Sequence, residues 1–338
     1  MRLPSIRQFG LGVLVAMVLP PTSVSGQSEP PVRFSVRVTE EVRFERPISA
    51  DVMPDGGLVV GTIFDEGITR LGTHGEVLWR VEAESLGVVD FSRIHRVSSA
   101  PDGRVLVLDT GSDKFVILSP DGQLIGEGKL PFPFSIIDSI LWLPTGKILV
   151  SGVTEWGGQA EQHSLHLLNE DFSYSKSLGP LPEVRNRAVL ASWGAGGVAR
   201  CLNGDVLFTL RLPYEVHRYS VELEDVSSFV APFEIDNTPD DAVILAPGTP
   251  TIRNPDGILV PRPVPMLEVL PGLFLGGRVV KREFIWDYFD SDGNLLFTNP
   301  APESWRFPIG VDPASGDLWI WSTAGDSHVF LRVRVERN

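Results

Sequence analysis

Arginine and tryptophan side chains are concentrated in loop-like segments of the second half of the chain, although the protein is acidic, with a formal net charge of −14. A guanidinium group binds a carboxylate through two parallel hydrogen bonds, and it also stacks on aromatic rings. We therefore expect a face that binds a carboxylate, a sugar acid or an acidic peptide loop. This arginine–tryptophan face comprises Arg187, Trp193, Arg211, Arg278, Trp305 and Arg306.

The alternative is that these arginines are solvated loop charges. Glu183, Glu283 and Glu303 lie close to them in the sequence, and exposed ion pairs of this kind contribute little free energy. The sequence alone leaves both interpretations open.

No ordinary catalytic or metal-binding set is recognisable in the sequence. Aspartates are numerous, but most lie in turn-like segments, where Asp bonds its neighbouring backbone. The six histidines show no zinc-ligand spacing, and His163 and His166 would point to opposite faces of a strand. Cys201 is the only cysteine, which excludes an intrachain disulfide and indicates a small buried apolar residue. We therefore predict no catalytic residue, no metal site and no cofactor.

A turn followed directly by a short apolar strand recurs six times along the chain. The glycines that precede these strands are separated by 47, 43, 58, 68 and 44 residues. A period near 50 residues, in which every unit combines turns with strands, predicts a β-propeller. The six turns are Pro54–Gly56, Pro101–Gly103, Pro144–Gly146, Leu202–Gly204, Pro271–Gly272 and Ser315–Gly316.

The second unit shows the complete pattern of one blade. Its predicted strands are Ile94–Ala100, Val105–Leu108, Lys114–Leu118 and Gln123–Lys129, and tight turns join them into an antiparallel sheet. The segment from Gly103 to Ile125, GRVLVLDTGSDKFVILSPDGQLI, resembles an NHL-type repeat. The whole chain resembles exported bacterial six-bladed propellers related to NHL-repeat and TolB-like proteins. That resemblance implies a binding platform, because NHL-type propellers are mostly of this kind.

Closure of the ring is predicted from a strand that has no partner of its own. The sixth unit stops after its third strand, Val329–Val335, whereas Arg33–Thr39 is an alternating strand that precedes the first unit. We expect the early strand to complete the last blade. The fold class is therefore all-β, a six-bladed propeller of four-stranded antiparallel blades closed by its N-terminal strand.

A proline-rich insert interrupts the repeats at about 232–265. It contains eight prolines, which remove hydrogen-bond donors and so disfavour central sheet. A long ordered loop is predicted there, although Ile258–Val260 could form a stray strand. A seventh blade would have to be hidden in this insert.

The first 26 residues have the pattern of a signal peptide. Arg2 and Arg7 precede the apolar run Phe9–Leu19, and Val24–Gly26 offers small residues for cleavage. We expect residues 27–338 to form the single propeller, exported to the periplasm or the extracellular space, monomeric and without a membrane span. Because the mature chain would carry a charge of −16, from −14 after two arginines are removed, nucleic acid is not an expected partner.

Two functions are compatible with these observations. The favoured one is a binding or protein-interaction scaffold of the cell envelope, whose partner is an unknown protein or a small anionic ligand held at the arginine–tryptophan face. The alternative is a metal-dependent hydrolase of the lactonase type, with its site in the central channel. Several six-bladed propellers have that activity, which requires convergent oxygen ligands.

Overall fold

The computed structural model shows a ring of six four-stranded antiparallel sheets. The structure describes residues 34–44, 47–62, 67–82, 94–109, 113–154, 163–181, 195–210, 214–232, 243–244, 252–253, 265–280, 283–301, 305–324 and 327–337.

Each blade starts with its innermost strand and ends with its outermost one, and blades 1 to 5 are numbered along the chain. Blade 1 contains β2 (Pro47–Val52), β3 (Leu58–Thr62), β4 (Gly67–Leu71) and β5 (Val77–Glu82). Blade 2 contains β6 (Ile94–Ser99), β7 (Val105–Asp109), β8 (Lys114–Leu118) and β9 (Leu124–Lys129). Blade 3 contains β10 (Phe134–Trp142), β11 (Ile148–Thr154), β12 (His163–Leu168) and β13 (Tyr174–Pro180).

The second half of the ring follows the same order. Blade 4 contains β14 (Gly197–Arg200), β15 (Val206–Thr209), β16 (Glu215–Tyr219) and β17 (Asp225–Val230). Blade 5 contains β20 (Leu267–Leu270), β21 (Leu273–Val280), β22 (Glu283–Phe289) and β23 (Leu295–Pro300). Blade 6 contains β24 (Trp305–Val311), β25 (Leu318–Ala324), β26 (Ser327–Arg337) and, outermost, β1 (Phe34–Phe44).

The core lies between the blades. The second strands β7 and β11 are buried along their whole length, because each blade is sandwiched between two neighbours and must be apolar on both faces. The outermost strands β5 and β9 alternate between exposed and half-buried residues. Burial therefore increases from the outer edge of a blade towards its middle, as the apolar runs of the sequence predict.

Hydroxyl side chains on the first or second strand of a blade join it to the next blade. Each accepts a backbone N–H from the following blade, so that these backbone groups have partners inside the ring. The distances are 3.1 Å from Val97 N to Ser49 Oγ, 3.0 Å from Trp142 N to Ser98 Oγ, 3.1 Å from Gly196 N to Ser151 Oγ and 3.0 Å from Met266 N to Thr209 Oγ1.

Two turns depart from the glycine rule of the repeats, at Phe172 in blade 3 and at Leu223 in blade 4. In blade 3 the residue that takes the left-handed conformation between β12 and β13 is Phe172, with φ of 64°. Its ring stacks on Phe115 of blade 2 at a centroid distance of 4.9 Å. A Cβ atom added to Gly128 of blade 2 would lie 1.9 Å from the nearest carbon of this ring, so the ring occupies space that only a glycine leaves open. Packing against the neighbouring blade thus offsets the backbone strain that a non-glycine residue incurs there.

The predicted closure of the ring is confirmed. Strand β1 pairs with β26 in antiparallel register, with Val38 opposite Val333, and it extends to Phe44, further than the sequence indicates. Innermost strands β24 and β2 are in contact, so blade 6 meets blade 1. Across this junction Trp319 Nε1 donates to Gly56 O at 3.0 Å, and Arg332 Nη1 donates to Thr73 O at 2.7 Å.

The insert contains one described feature, the strand pair β18 (Val243–Ile244) and β19 (Ile252–Arg253). Ile258–Val260, the alternative stray strand within the predicted loop, lies outside the described residues, as do the remaining course of the insert and the predicted signal peptide. Within the described ranges there is no helix with the length and apolar character needed to cross a membrane.

Replacing Trp319 by Phe tests how much the closing junction contributes to stability. The change removes the hydrogen bond to Gly56 O inside a fully buried site, so we expect a loss of about 2–4 kcal/mol in the free energy of unfolding. Trp79→Phe is the matched control, since Trp79 Nε1 also donates to a carbonyl of the next blade, Pro120 O at 2.7 Å, but at a half-buried position on the outermost strand β5. Guanidinium unfolding should show a clearly smaller loss for the control; equal losses would contradict the role assigned to the junction.

Candidate functional site

The two ends of the ring differ in what they carry. The turns from first to second strand and from third to fourth strand lie at one end, which we call the turn end. The loops from second to third strand and the links between blades lie at the other, which we call the link end. The sequence places the arginine–tryptophan face on loops and links of the second kind.

The structure describes part of the arginine–tryptophan face. Arg187, Trp193 and Arg211 lie outside the described residues. Trp305 and Arg306 are the first residues of β24, the innermost strand of blade 6, so their backbone lies at the link end of the channel. Their convergence with the other members stays a prediction.

Arg278 is the one member whose side chain is described, and it binds a carboxylate of its own blade. Its Nε donates to Asp287 Oδ2 at 2.6 Å, and Thr298 Oγ1 donates to Asp287 Oδ1 at 2.7 Å. Asp287 is completely buried, which raises the pKa of its carboxyl, and the bonds from Arg278 and Thr298 oppose that effect. The guanidinium of Arg278 therefore already holds an anionic partner in the protein.

The aspartates assigned to turns behave as the sequence predicts where the structure gives their bonds. Asp55 Oδ1 accepts the Gly57 N–H at 3.1 Å, and Asp102 Oδ1 accepts the Arg104 N–H at 3.1 Å. Asp109, which ends β7, is fully buried inside blade 2. Among the described residues, no group of three or more His, Cys, Asp or Glu side chains is placed to hold a metal ion.

His166 is a core histidine of blade 3. Its Nε2–H donates to Gly152 O at 3.1 Å, and its Nδ1 accepts the Ser177 hydroxyl at 2.8 Å. The ring also packs edge-on against Phe132 and Phe134. Burial lowers the pKa of His166 to about 4, so the imidazole is neutral at physiological pH and has a partner at each nitrogen.

A second group of polar side chains lies inside the ring, at the turn end. Asp51 is the penultimate residue of β2, Ser99 ends β6 and Arg200 ends β14. These innermost strands belong to blades 1, 2 and 4, so the three residues approach the central channel from different directions. We call Asp51, Ser99 and Arg200 the channel cluster.

Arg200 interacts with blade 1 through its charge. Burial raises the pKa of Asp51 and lowers the pKa of Arg200. The attraction between the two charges has the opposite effect on each pKa, but this effect is smaller. Nη2 donates to Trp142 O in blade 3, and Nε is buried without a hydrogen-bond partner. In the described part of the chain Arg200 forms no direct ion pair, and Trp142 O is the one acceptor recorded for its five N–H donors.

This situation is unusual among the enclosed arginines of the ring. A guanidinium removed from water normally has a carboxylate partner, because an isolated buried charge is costly. Such pairs are found elsewhere in the protein: Arg70 with Asp55, Arg218 with Asp205, and Arg332 with both Asp312 and Asp317.

Asp51 is held by the neighbouring blade. Its Oδ2 accepts the Ser99 N–H at 2.6 Å and lies 2.9 Å from Ser99 Oγ, while its Oδ1 accepts the Val52 N–H at 2.9 Å. Burial raises the pKa of Asp51, and the bonds from Ser99 and the charge of Arg200 act in the opposite direction. The carboxyl thus lies in a place where its charged and neutral forms are closer in free energy than in water.

Two other charged side chains of the innermost strands, Arg96 and Glu268, have hydrogen-bond partners within the protein. Arg96 Nε on β6 donates to Asp138 O on β10. Glu268 on β20 accepts the Leu202 N–H at 2.8 Å and the Gly272 N–H at 2.9 Å, so it fixes two turns at the turn end.

Reasoning from the sequence missed the channel cluster because it considered loops rather than the ends of the innermost strands. The last residue of the innermost strand is apolar in four blades and polar in two. The apolar ones are Val52, Trp142, Leu270 and Val311, and the polar ones are Ser99 and Arg200. A comparison of equivalent positions across the six units would have singled out Arg200.

Comparison with known proteins identifies the fold and nothing finer. The sequence matches no protein-family model and no curated protein. Virginiamycin B lyase from Staphylococcus aureus is similar at 14% identity, with 90% of this chain and 88% of that chain covered and a TM-score of 0.52. A candidate exported protein from Bacteroides fragilis is similar at 9% identity, with 87% and 92% covered and a TM-score of 0.59.

A third similar structure is a gluconolactonase from Xanthomonas campestris, at 13% identity, with 94% of this chain and 99% of that chain covered and a TM-score of 0.54. At such identities the likeness concerns the fold, which supports many unrelated activities. The propeller architecture is confirmed, and the relation to NHL-repeat and TolB-like proteins stays a prediction.

Cys201 should be inert in the folded protein. It is 3% exposed, and burial, with a smaller contribution from Glu268, raises the pKa of its thiol to about 12, so the reactive thiolate is scarce. Ellman's reagent at pH 8 should label the chain only after denaturation. Labelling of the native protein at the rate of a free thiol would show that this part of blade 4 opens.

His166 should make stability depend on pH. The unfolded chain binds a proton at this side chain near pH 6.5, whereas the folded chain does so only near pH 4, so lowering the pH through this window favours unfolding by up to roughly 3 kcal/mol. His166→Gln should remove that loss between pH 7 and pH 4.5 in guanidinium unfolding. His74→Gln, at a side chain that is 78% exposed, is the control; a pH dependence unchanged in His166→Gln would refute the assignment.

Proposed function

We propose that this chain is an exported binding protein that holds a small carboxylate ligand in its central channel, at Arg200. The observation that carries the proposal is the enclosed guanidinium of Arg200, which has one hydrogen bond, to Trp142 O, and no direct ion pair among the described residues. A ligand carboxylate would provide the anionic partner that other enclosed arginines find within the protein.

Binding rather than catalysis is favoured by the surroundings of the cluster. The hydroxyl of Ser99 lies 2.8 Å from Val52 O and 2.9 Å from Asp51 Oδ2, so it is engaged by acceptors, and no histidine or lysine among the described side chains is hydrogen-bonded to it. Asp51 and Ser99 therefore resemble a polar binding site formed by two blades more than a nucleophile paired with a base.

The arginine–tryptophan face remains part of the proposal as the opposite mouth of the same channel. Trp305 and Arg306 begin β24 at the link end, whereas Arg200 ends β14 at the turn end. A ligand or a partner protein that bound at the link end would depend on Arg187, Arg211 and Arg306. Binding at Arg200 would not.

The hydrolase alternative makes a different demand, because a lactonase-type site needs a metal ion in the channel. Calcium or zinc should then raise the melting temperature by several degrees through binding to the folded state, and that rise should follow the metal concentration. Under the binding proposal the melting temperature stays constant when calcium is added, and a clear rise would favour the alternative.

The proposal is tested with matched pairs of charged and neutral ligands. Acetate and D-glucuronate should bind, as measured by calorimetry and by melting temperature, whereas acetamide and D-glucuronamide should not, because an amide offers no charge to Arg200. Arg200→Gln should weaken carboxylate binding by at least about tenfold. The melting temperature of the ligand-free protein should change little, because the attraction to Asp51 is lost together with the larger burial cost of the guanidinium.

The triple variant Arg187→Ala, Arg211→Ala and Arg306→Ala separates the two ends of the channel. Carboxylate binding that survives the triple substitution and is lost in Arg200→Gln supports the channel cluster. The reverse result transfers the site to the arginine–tryptophan face. Absence of binding by both carboxylates refutes the proposed function.

A further inference from the structure

The hydroxyl of Ser99 is placed to serve Asp51 in both of its protonation states. Ser99 Oγ lies 2.9 Å from Asp51 Oδ2 and 2.8 Å from Val52 O, but a hydroxyl has a single hydrogen. When Asp51 is ionised, that hydrogen can point to the carboxylate. When Asp51 is protonated, the hydrogen can turn to Val52 O, and Ser99 Oγ then accepts the new Asp51 O–H. In both states the Asp51 carboxyl and the Ser99 hydroxyl are hydrogen-bonded to each other.

The surroundings of Asp51 leave its charge balanced mainly by Arg200. Strand β3 places Val59 opposite Asp51, and β24 packs on β2 through Gly310, next to Val52. From β6, Ser99 bonds the carboxyl, while Arg96 donates to Asp138 O. Arg200 of β14 is the one charged group that acts on Asp51 in the described part of the chain.

A carboxylate that arrives at Arg200 changes this balance. It takes the guanidinium as its own partner and places a second negative charge inside the same enclosed channel. Two carboxylates that share one cation in a poorly solvated site do not both stay ionised, because their repulsion raises the pKa of one of them. Asp51 is the group prepared to accept the proton, since burial already raises its pKa and Ser99 provides the matching acceptor.

We propose that the channel couples the capture of a carboxylate to the uptake of one proton: each bound ligand brings one H⁺ from solvent onto Asp51, the ligand remains ionised against Arg200, and the Ser99 hydroxyl turns towards Val52 O. This inference rests on the proposed function. It adds that the protein binds its ligand more tightly in acidic surroundings and releases it as the pH rises.

The experiment uses the whole mature protein and D-glucuronate as the probe. Calorimetric titrations at pH 7.5 in two buffers with different enthalpies of ionisation give the number of protons taken up per ligand, and we expect a value close to one. Because one proton accompanies binding, the dissociation constant should increase about tenfold per pH unit between the pKa of Asp51 in the free protein and its higher pKa in the complex.

Asp51→Asn is the diagnostic variant, because an amide is an uncharged counterpart of the protonated carboxyl. It should bind D-glucuronate with no proton uptake and with an affinity that is constant between pH 6 and pH 8. Ser99→Ala should reduce the uptake, since the protonated carboxyl loses its acceptor. His74→Gln, which changes an exposed side chain far from the channel, should behave as the wild type.

The outcomes separate this inference from the proposed function. Tight binding with no proton uptake by the wild type overturns the coupling and leaves the carboxylate site intact, whereas failure of D-glucuronate and acetate to bind refutes the site itself. Proton uptake that persists in Asp51→Asn assigns the proton to another group and also overturns the inference. If that variant does not fold, the two-buffer measurement on the wild type still decides whether a proton accompanies the ligand.

Discussion

The structure depends on one constraint, that every blade is apolar on both faces and must be covered on both sides. Strands such as β7 and β11 have no exposed residue, so a single blade could not bury its own surface. An open row of blades would leave two apolar faces in water, and only a closed ring leaves none. The pairing of β1 with β26 and the contact of β24 with β2 therefore stabilise all six blades and not the last one alone.

Closure also determines what the channel can contain. The innermost strands converge on the axis, which brings Asp51, Ser99 and Arg200 together although they are far apart in the sequence. The neighbouring polar groups at this level are used for construction: Ser49 and Ser98 accept backbone N–H groups of the next blade, and Glu268 holds two turns. Against that background, Arg200 differs in having no carboxylate bonded to it among the described residues, which is the basis of the proposed binding site.

The sequence predicts the fold well because the signals of a propeller are local. Turns with glycine or aspartate, apolar strands between them and the unpaired early strand are all read within short windows. The bonds of Asp55 and Asp102 and the burial of Cys201 agree with those expectations. Phe172 could not be predicted, because its left-handed backbone is tolerated through packing on Phe115, a contact between two blades.

The site was harder to predict for the same physical reason. Whether an arginine is available depends on its partner across the ring or across a hairpin, which spacing alone does not give. Arg278 was expected to face a ligand, yet β21 and β22 bring it onto Asp287. Arg200 has no distinguishing motif in the sequence, yet it lacks such a partner in the described structure. Thus Arg278 is bonded to a buried carboxylate within blade 5, whereas the recorded acceptor of Arg200 is a backbone carbonyl.

The difference between these two arginines follows from the free energy of burial. A fork between Arg278 and a fully buried Asp287 recovers much of the desolvation that both charges incur. Arg200 recovers less, because Asp51 attracts it without a direct bond and Trp142 O supplies a single acceptor. Burial of the Arg200 guanidinium therefore destabilises the folded state. A bound anion would remove this unfavourable free energy and so stabilise the fold. Binding and stability are then coupled through the same side chain, which is the reason that a neutral glutamine at this position separates a ligand-binding role from a structural one.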